Sequence, residues 1–243
     1  MWRVVLAFVV GKRTQENADV LLDRVKDVTD GHIPFFTSDQ LPEYDDALLH
    51  TYGVWVQPER KGDRGRYPQP RLVPTTDLLY AQVVKVQEHG RVTEVKTKVV
   101  FGKPEAIADK LAHSSVSDTI NTSFVERDNL TQRQSNRRLT RRTNGFSKAI
   151  IWFEKQRWLS MAYDHFVLPH HSLRQPLETP KPTRGTGTPK RWKPITPAMA
   201  AGMTDHVWTT TELLSYRVPA QFSDQLSKIK PLFALPDEVH QGK

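Results

Sequence analysis

Two carboxylates and one run of basic side chains carry the chemistry that this sequence offers. Asp39 comes just after the apolar run Ile33–Thr37, with Ser38 between. An acidic group at the C-terminal end of a buried strand lies on the rim of an α/β sheet, where ligands collect. The same position also suits helix capping, with Ser38 or Asp39 capping a helix over Leu41–Leu49. Glu126 opens a basic helical stretch in which positions 126, 130, 133 and 137 share a face, so Glu126, Arg133 and Arg137 point the same way. A glutamate in a first helical turn is also favourable simply against the helix dipole. Between Arg127 and Trp158 stand nine basic residues (Arg127, Arg133, Arg137, Arg138, Arg141, Arg142, Lys148, Lys155, Arg157) against Asp128 and Glu154. That window is net +7 in a chain whose formal charge is +8. Positive charge so concentrated either attracts a polyanion or forms a solvated helix end.

The elements that must position these groups read as an α/β arrangement. Val4–Val10 is an apolar run expected to form a buried strand, and Gly11 ends it. A helix is expected from Thr14 to Lys26, where Ala18, Leu21, Leu22 and Val25 recur at helical spacing. Ile33–Thr37 and Val54–Val56 follow as short strands, with a short helix between them. The Pro-, Gly-, Arg- and Lys-rich stretch 57–74 reads as a loop. Leu78–Gln87 fits strand or helix, and Val92–Phe101 a half-exposed strand. Pro104 suits the first turn of a helix to Leu111. From Asn121 to about Tyr163 the pattern is helical, broken near Asn144–Gly145. Trp152, Leu159, Tyr163 and Phe166 fall on one face of the second of these helices, which is expected to pack on a core. Residues 176–197 are rich in Pro and Gly and read as an extended linker, and 198–243 as an extension too small and polar for a domain of its own.

The chain of 243 residues, 37% hydrophobic, is long enough for one globular domain with extensions. It has no cysteine, which excludes disulfides and cysteine-ligated zinc and is compatible with a reducing cytosol. No apolar run approaches the roughly 20 residues that cross a bilayer, so no membrane is expected as a partner.

Three blocks resemble bacterial insertion-sequence transposases of the Asp-Asp-Glu type, of the IS1-like group. Residues 121–133, Asn-Thr-Ser-Phe-Val-Glu-Arg-Asp-Asn-Leu-Thr-Gln-Arg, are similar to the block around that family's catalytic glutamate. The likeness continues through Arg137-Arg138-Leu139-Thr140-Arg141 and Thr143-Asn144-Gly145-Phe146-Ser147-Lys148. Thr37-Ser38-Asp39 with Tyr44 resembles the segment of the second aspartate. His170-His171-Ser172-Leu173-Arg174, resumed by Thr196-Pro197-Ala198-Met199-Ala200-Ala201-Gly202, resembles the closing segment. The likeness spans about residues 1–216.

The resemblance implies an RNase H-like mixed sheet flanked by helices over 1–174, interrupted by a linker at 175–197 and followed by an extension at 198–243. It implies Asp39 and Glu126 as catalytic carboxylates and ligands of Mg²⁺ or Mn²⁺, with two such ions activating a nucleophile and stabilising the leaving oxygen. His170 either contacts the scissile region or is a surface histidine. Arg127, Arg133, Arg137, Arg138, Arg141, Arg142 and Lys148 would contact phosphates of double-stranded DNA at transposon ends. The implied location is cytoplasmic, at the nucleoid. The family's first aspartate lies on an opening strand upstream of the segment resembling Arg3–Gly11, and Asp23, Asp27 and Asp30 do not match it. The expectation is therefore a truncated transposase, inactive as an isolated chain, or one whose coding frame opens further upstream. The alternatives are a noncatalytic DNA-binding protein and a regulator that pairs with a full-length transposase or with itself.

Overall fold

The structure is a computed structural model that describes residues 3–60, 62, 67–114, 116–140, 144–183 and 185–217. It is mixed α/β, and its residues fall into two compact units: one from Val5 to Thr131, the other taking Gln132 onward with the first few residues.

In the first unit, helix α1 (Gln15–Val28) starts where Thr14 Oγ1 accepts from the Asn17 N–H. Its stripe at 18, 21 and 22 packs against α2 (Glu43–Tyr52) through Ala47, Leu48 and Tyr52. The pair is tied by the Lys26 ammonium donating to the Thr51 carbonyl at 2.8 Å and the Thr51 hydroxyl donating to Asp23 at 3.1 Å. Beneath them lies a three-stranded mixed sheet in the order β1 (Phe36–Ser38), β4 (Tyr80–Glu88), β5 (Arg91–Phe101). β1 runs parallel to β4, with Ser38 opposite Gln82, and β5 returns antiparallel. Successive residues of the central segment face opposite ways. Leu78 and Tyr80 join the α1–α2 core, whereas Leu79 and Ala81 meet Ile107 of α3 (Pro104–Ala112) on the other face. Helices thus cover both faces of the sheet. α4 (Ser123–Ser135) carries Glu126 in its first turn.

The second unit is organised around α5 (Ile150–Phe166), which packs with two short helices, α6 (Pro197–Ala200) and α7 (Thr210–Ser215). The fully buried Thr196 caps α6 by accepting from the Met199 N–H at 3.2 Å, which gives the Thr196-Pro197-Ala198-Met199 string a structural role. Phe166 at the end of α5 stacks on Trp208 with ring centroids 4.5 Å apart.

Several expectations are corrected. Residues 4–10 form no strand: extended backbone becomes a strand only beside a pairing partner, and here the Phe8 carbonyl accepts instead from the Arg24 guanidinium at 2.6 Å. Val54–Val56 lies in β2 (Gly53–Val56), which pairs not with the main sheet but with β3 (Arg71–Pro74), inside the stretch expected to be loop. Residues 78–87 resolve to strand. Most of β5 is exposed on both faces, because only its end at Val99–Phe101 reaches helices. The Pro/Gly-rich stretch is a hairpin of β6 (Gln175–Lys181) and β7 (Lys190–Lys193). Pro176 and Pro180 are tolerated there because a two-stranded ribbon is all edge.

The corner from β5 into α3 passes through Gly102 at φ +90°, and a Cβ there would lie 2.4 Å from Leu79 Cδ2. Gly102→Ala is expected to cost about 1–2 kcal/mol from backbone conformation alone, with the clash adding to it. Urea unfolding of the variant checks this; an unchanged midpoint would show that the corner relaxes freely.

Candidate functional site

Asp39 is the first residue beyond β1 and is exposed. The backbone places it at the C-terminal end of the parallel β1–β4 pair, as the apolar run before it implied. Glu126 lies toward the same end but on one face of the sheet. The Thr37 hydroxyl donates to the Asn121 carbonyl at 3.4 Å, holding the approach to α4 against β1. From there Glu126 reaches Lys85 of β4, whose ammonium forms an ion pair with Oε1. The Thr122 hydroxyl donates to the same oxygen at 3.0 Å. The Lys85 hydrogen bond, followed by that of Thr122, holds the Glu126 carboxyl below the usual glutamate range.

As arranged, this pair does not fit a divalent ion. Oε1 of Glu126 is engaged by a cationic ammonium, and a second cation at this carboxylate would meet like charge. Among the described residues no group of three or more His, Asp or Glu side chains gathers into an ion-binding cluster.

On the opposite face of the sheet is a polar network that the sequence did not announce. Gln82 is 3% exposed. Its amide donates to the Tyr80 hydroxyl at 3.0 Å and to Asp45 Oδ1 at 2.7 Å. The Ser38 hydroxyl lies 2.6 Å from the Asp39 carbonyl, which accepts from it, and 2.7 Å from the Tyr80 hydroxyl. Burial pushes the Asp45 carboxyl above its ordinary range, while Lys98 and the Tyr80 hydrogen bond pull it back. Burial likewise raises the Tyr80 phenol. Tyr44 is raised by burial first and then by the nearby Asp39 charge. The network therefore buttresses the turn that carries Asp39. Asp45 stands in the acidic first turn of α2 and was not singled out in the sequence; a glutamine within an apolar strand is the one local signal that a partner is needed.

His170 serves the backbone. Its Nδ1 faces the Ser172 N–H at 3.3 Å and the Ser172 hydroxyl at 2.9 Å, and its own N–H donates to the Ile195 carbonyl at 2.9 Å. Burial, then the charges of Arg3 and His171, lowers its pKa and keeps the ring neutral as an acceptor.

The basic residues are only partly as expected. α4 ends at Ser135, and the chain turns at Asn136, whose Oδ1 accepts from the Arg138 N–H at 3.0 Å. Arg137 and Arg138 thus lie in a single 3₁₀ turn, and Arg137 does not extend the face bearing Glu126 and Arg133. Arg127, which belongs to the first unit, is exposed, as are Arg133, Arg137, Arg138 and Lys148 of the second. Arg138 donates to Ser147 at 2.9 Å. Arg141 and Arg142 lie outside the described residues. Arg157 turns inward to the buried Gln132, whose amide donates to Asp164 at 2.6 Å.

Removing the amide by Gln82→Ala would leave Asp45 and Tyr80 without a shared donor. It is expected to cost about 1–3 kcal/mol, read by chemical denaturation. Asp45→Asn keeps an acceptor and removes the charge. Because the folded-state pKa of Asp45 is raised, its ionised form opposes folding above that pKa, and the penalty disappears as pH falls through it. The Asn variant should therefore be at least as stable at pH 7, with its advantage shrinking toward pH 3. A constant difference across that range would show that Asp45 is solvated.

Compared with protein-family models, characterised proteins and solved structures, the chain matches none. Its function is therefore read from its own side chains.

Proposed function

We propose that this chain is a transposase-derived protein that binds double-stranded DNA through its basic segment and, as an isolated polypeptide, does not cut it. The observation that carries the reading is the charge distribution: a net +7 over residues 127–158, with Arg133, Arg137, Arg138 and Lys148 of the second unit all exposed. None of these four pairs with a carboxylate among the described residues. Surface cations without counter-charges hold a polyanion by releasing its condensed ions, which favours phosphates irrespective of base sequence.

The resemblance supplies the finer proposal: an RNase H-like catalytic domain, with Asp39 and Glu126 descended from carboxylates that hold Mg²⁺ or Mn²⁺. The placement of both toward one end of the β1–β4 pair supports it, and the polar network behind Asp39 would keep that turn rigid. Catalysis would require Lys85 to withdraw from Glu126 and further oxygen ligands to join. Misplacing a reacting group by about 1 Å alone costs of the order of a hundredfold in rate. On this reading the natural ligands are transposon ends, met at the nucleoid.

Binding of a labelled duplex should fall steeply with salt, with a log–log slope of about 0.9 per phosphate neutralised, and vary little with sequence. Reversing Arg133, Arg137, Arg138 and Lys148 to Glu should weaken it by orders of magnitude. Equal affinity of wild type and variant at low salt would reduce the segment to a solvated surface. Plasmid nicking with Mg²⁺ or Mn²⁺ is expected to be undetectable; nicking that vanishes in Glu126→Ala would overturn the noncatalytic part.

A further inference from the structure

Helix α5 carries an apolar stripe that is largely exposed. Trp152, Leu159 and Tyr163 recur at i, i+7 and i+11, within an arc of about 40° at 3.6 residues per turn. They were expected, with Phe166, to pack on a core; Phe166 does so against Trp208, whereas the other three are 55%, 49% and 39% exposed. The buried positions Glu154, Met161 and His165 keep the same spacing on the opposite side. Beside that buried side Arg157 and Asp164 bond the buried Gln132. An outward stripe with two large rings marks a binding surface rather than scattered exposure.

The charge around the stripe selects its occupant. The Lys155 ammonium sits 4.8 Å above the centre of the Trp152 ring, and the stripe lies within and beside the +7 window. Two copies joined symmetrically through this face would bring two such windows together, which like-charge repulsion opposes. Aromatic faces interleaved with cations suit a polyanion carrying flat rings, that is, nucleic acid. In an intact duplex the base faces are hidden by stacking, so the available ring surface belongs to unpaired bases.

We infer that the exposed Trp152–Leu159–Tyr163 face of α5 is a stacking platform for unpaired DNA bases, with Lys155 beside Trp152 facing the adjacent phosphates. This rests on the proposed DNA binding and adds a preference to it: single-stranded or locally unpaired DNA over intact duplex.

The test compares a 20-nucleotide oligothymidylate, a blunt duplex and the same duplex carrying a short unpaired flap, each titrated by anisotropy and by tryptophan quenching. Wild type is expected to bind the unpaired substrates more tightly than the blunt duplex and to be quenched by them. Trp152→Ala and Tyr163→Ala should each weaken oligothymidylate binding about 5- to 100-fold, the range for loss of one stacked base. Blunt-duplex affinity should stay within about twofold, and Trp152→Phe should restore most of the loss; circular dichroism confirms that the variants are folded. Equal loss on all three substrates, or no loss on any, overturns the platform while leaving duplex binding intact. A sedimentation shift from dimer to monomer in Trp152→Ala with unchanged oligothymidylate binding also overturns it, making the face a self-association surface. Wild type that binds no DNA of any kind removes this inference together with the proposed function.

Discussion

Between Leu78 and Val83 six consecutive side chains are buried, and a strand can bury both of its faces only if each is covered by a separate layer. α1 and α2 supply one layer and α3 the other. Once that sandwich forms, Gln82 is carried into the interior with its amide facing α2. A buried amide without partners costs about 1–3 kcal/mol, so α2 must present an acceptor there, and Asp45 is that acceptor. The Tyr80–Ser38 contact extends the network to the residue before Asp39. The position of the rim carboxylate is thus a consequence of packing in the strand beside it.

The same alternation puts Lys85 on the other face from Gln82, where it meets Glu126. The two carboxylates expected to work together are therefore embedded in different surroundings. Asp39 stands at the strand end with a buried network behind it, while Glu126 is exposed and held by a cation. In the second unit a comparable constraint acts on α5. Gln132, Asp164 and Arg157 satisfy one another in the interior, although buried Asn136 keeps one amide nitrogen without a partner. With Glu154, Met161 and His165 turned inward, Trp152, Leu159 and Tyr163 on the opposite side are left exposed.

Local chemistry was legible in the sequence, and partner choice was not. Thr14 as a cap, the stripe Ala18–Leu21–Leu22 and Pro104 at a first turn each act within one turn of helix, so the residues themselves decide the outcome. Residues 4–10 look like a strand because apolar β-branched side chains favour extended backbone, but a strand also needs a neighbour, which a local pattern does not contain. On α5 the pattern found the helix and its apolar face, but only Phe166 of that face packs, on Trp208, because periodicity does not identify what covers a face. Asp39 and Glu126 stand after a strand and in a first helical turn, as read. Those places fit capping and the helix dipole equally well, and only the resemblance singled the two out. Asp45, Gln82 and Lys85 were not legible, since their roles come from contacts spanning 37 and 41 residues.

The Lys85–Glu126 pair connects structure to chemistry most directly. Both side chains are about half exposed, and an ion pair in that setting contributes only about 0–1 kcal/mol. Holding Glu126 in place is therefore a minor contribution to stability, and the pair is weak enough to be broken by a stronger competitor. A lysine presents a single hydrated ammonium on a flexible stem, so it exchanges readily with water and other anions. A buried bidentate arginine in the same position would hold the carboxylate far more firmly.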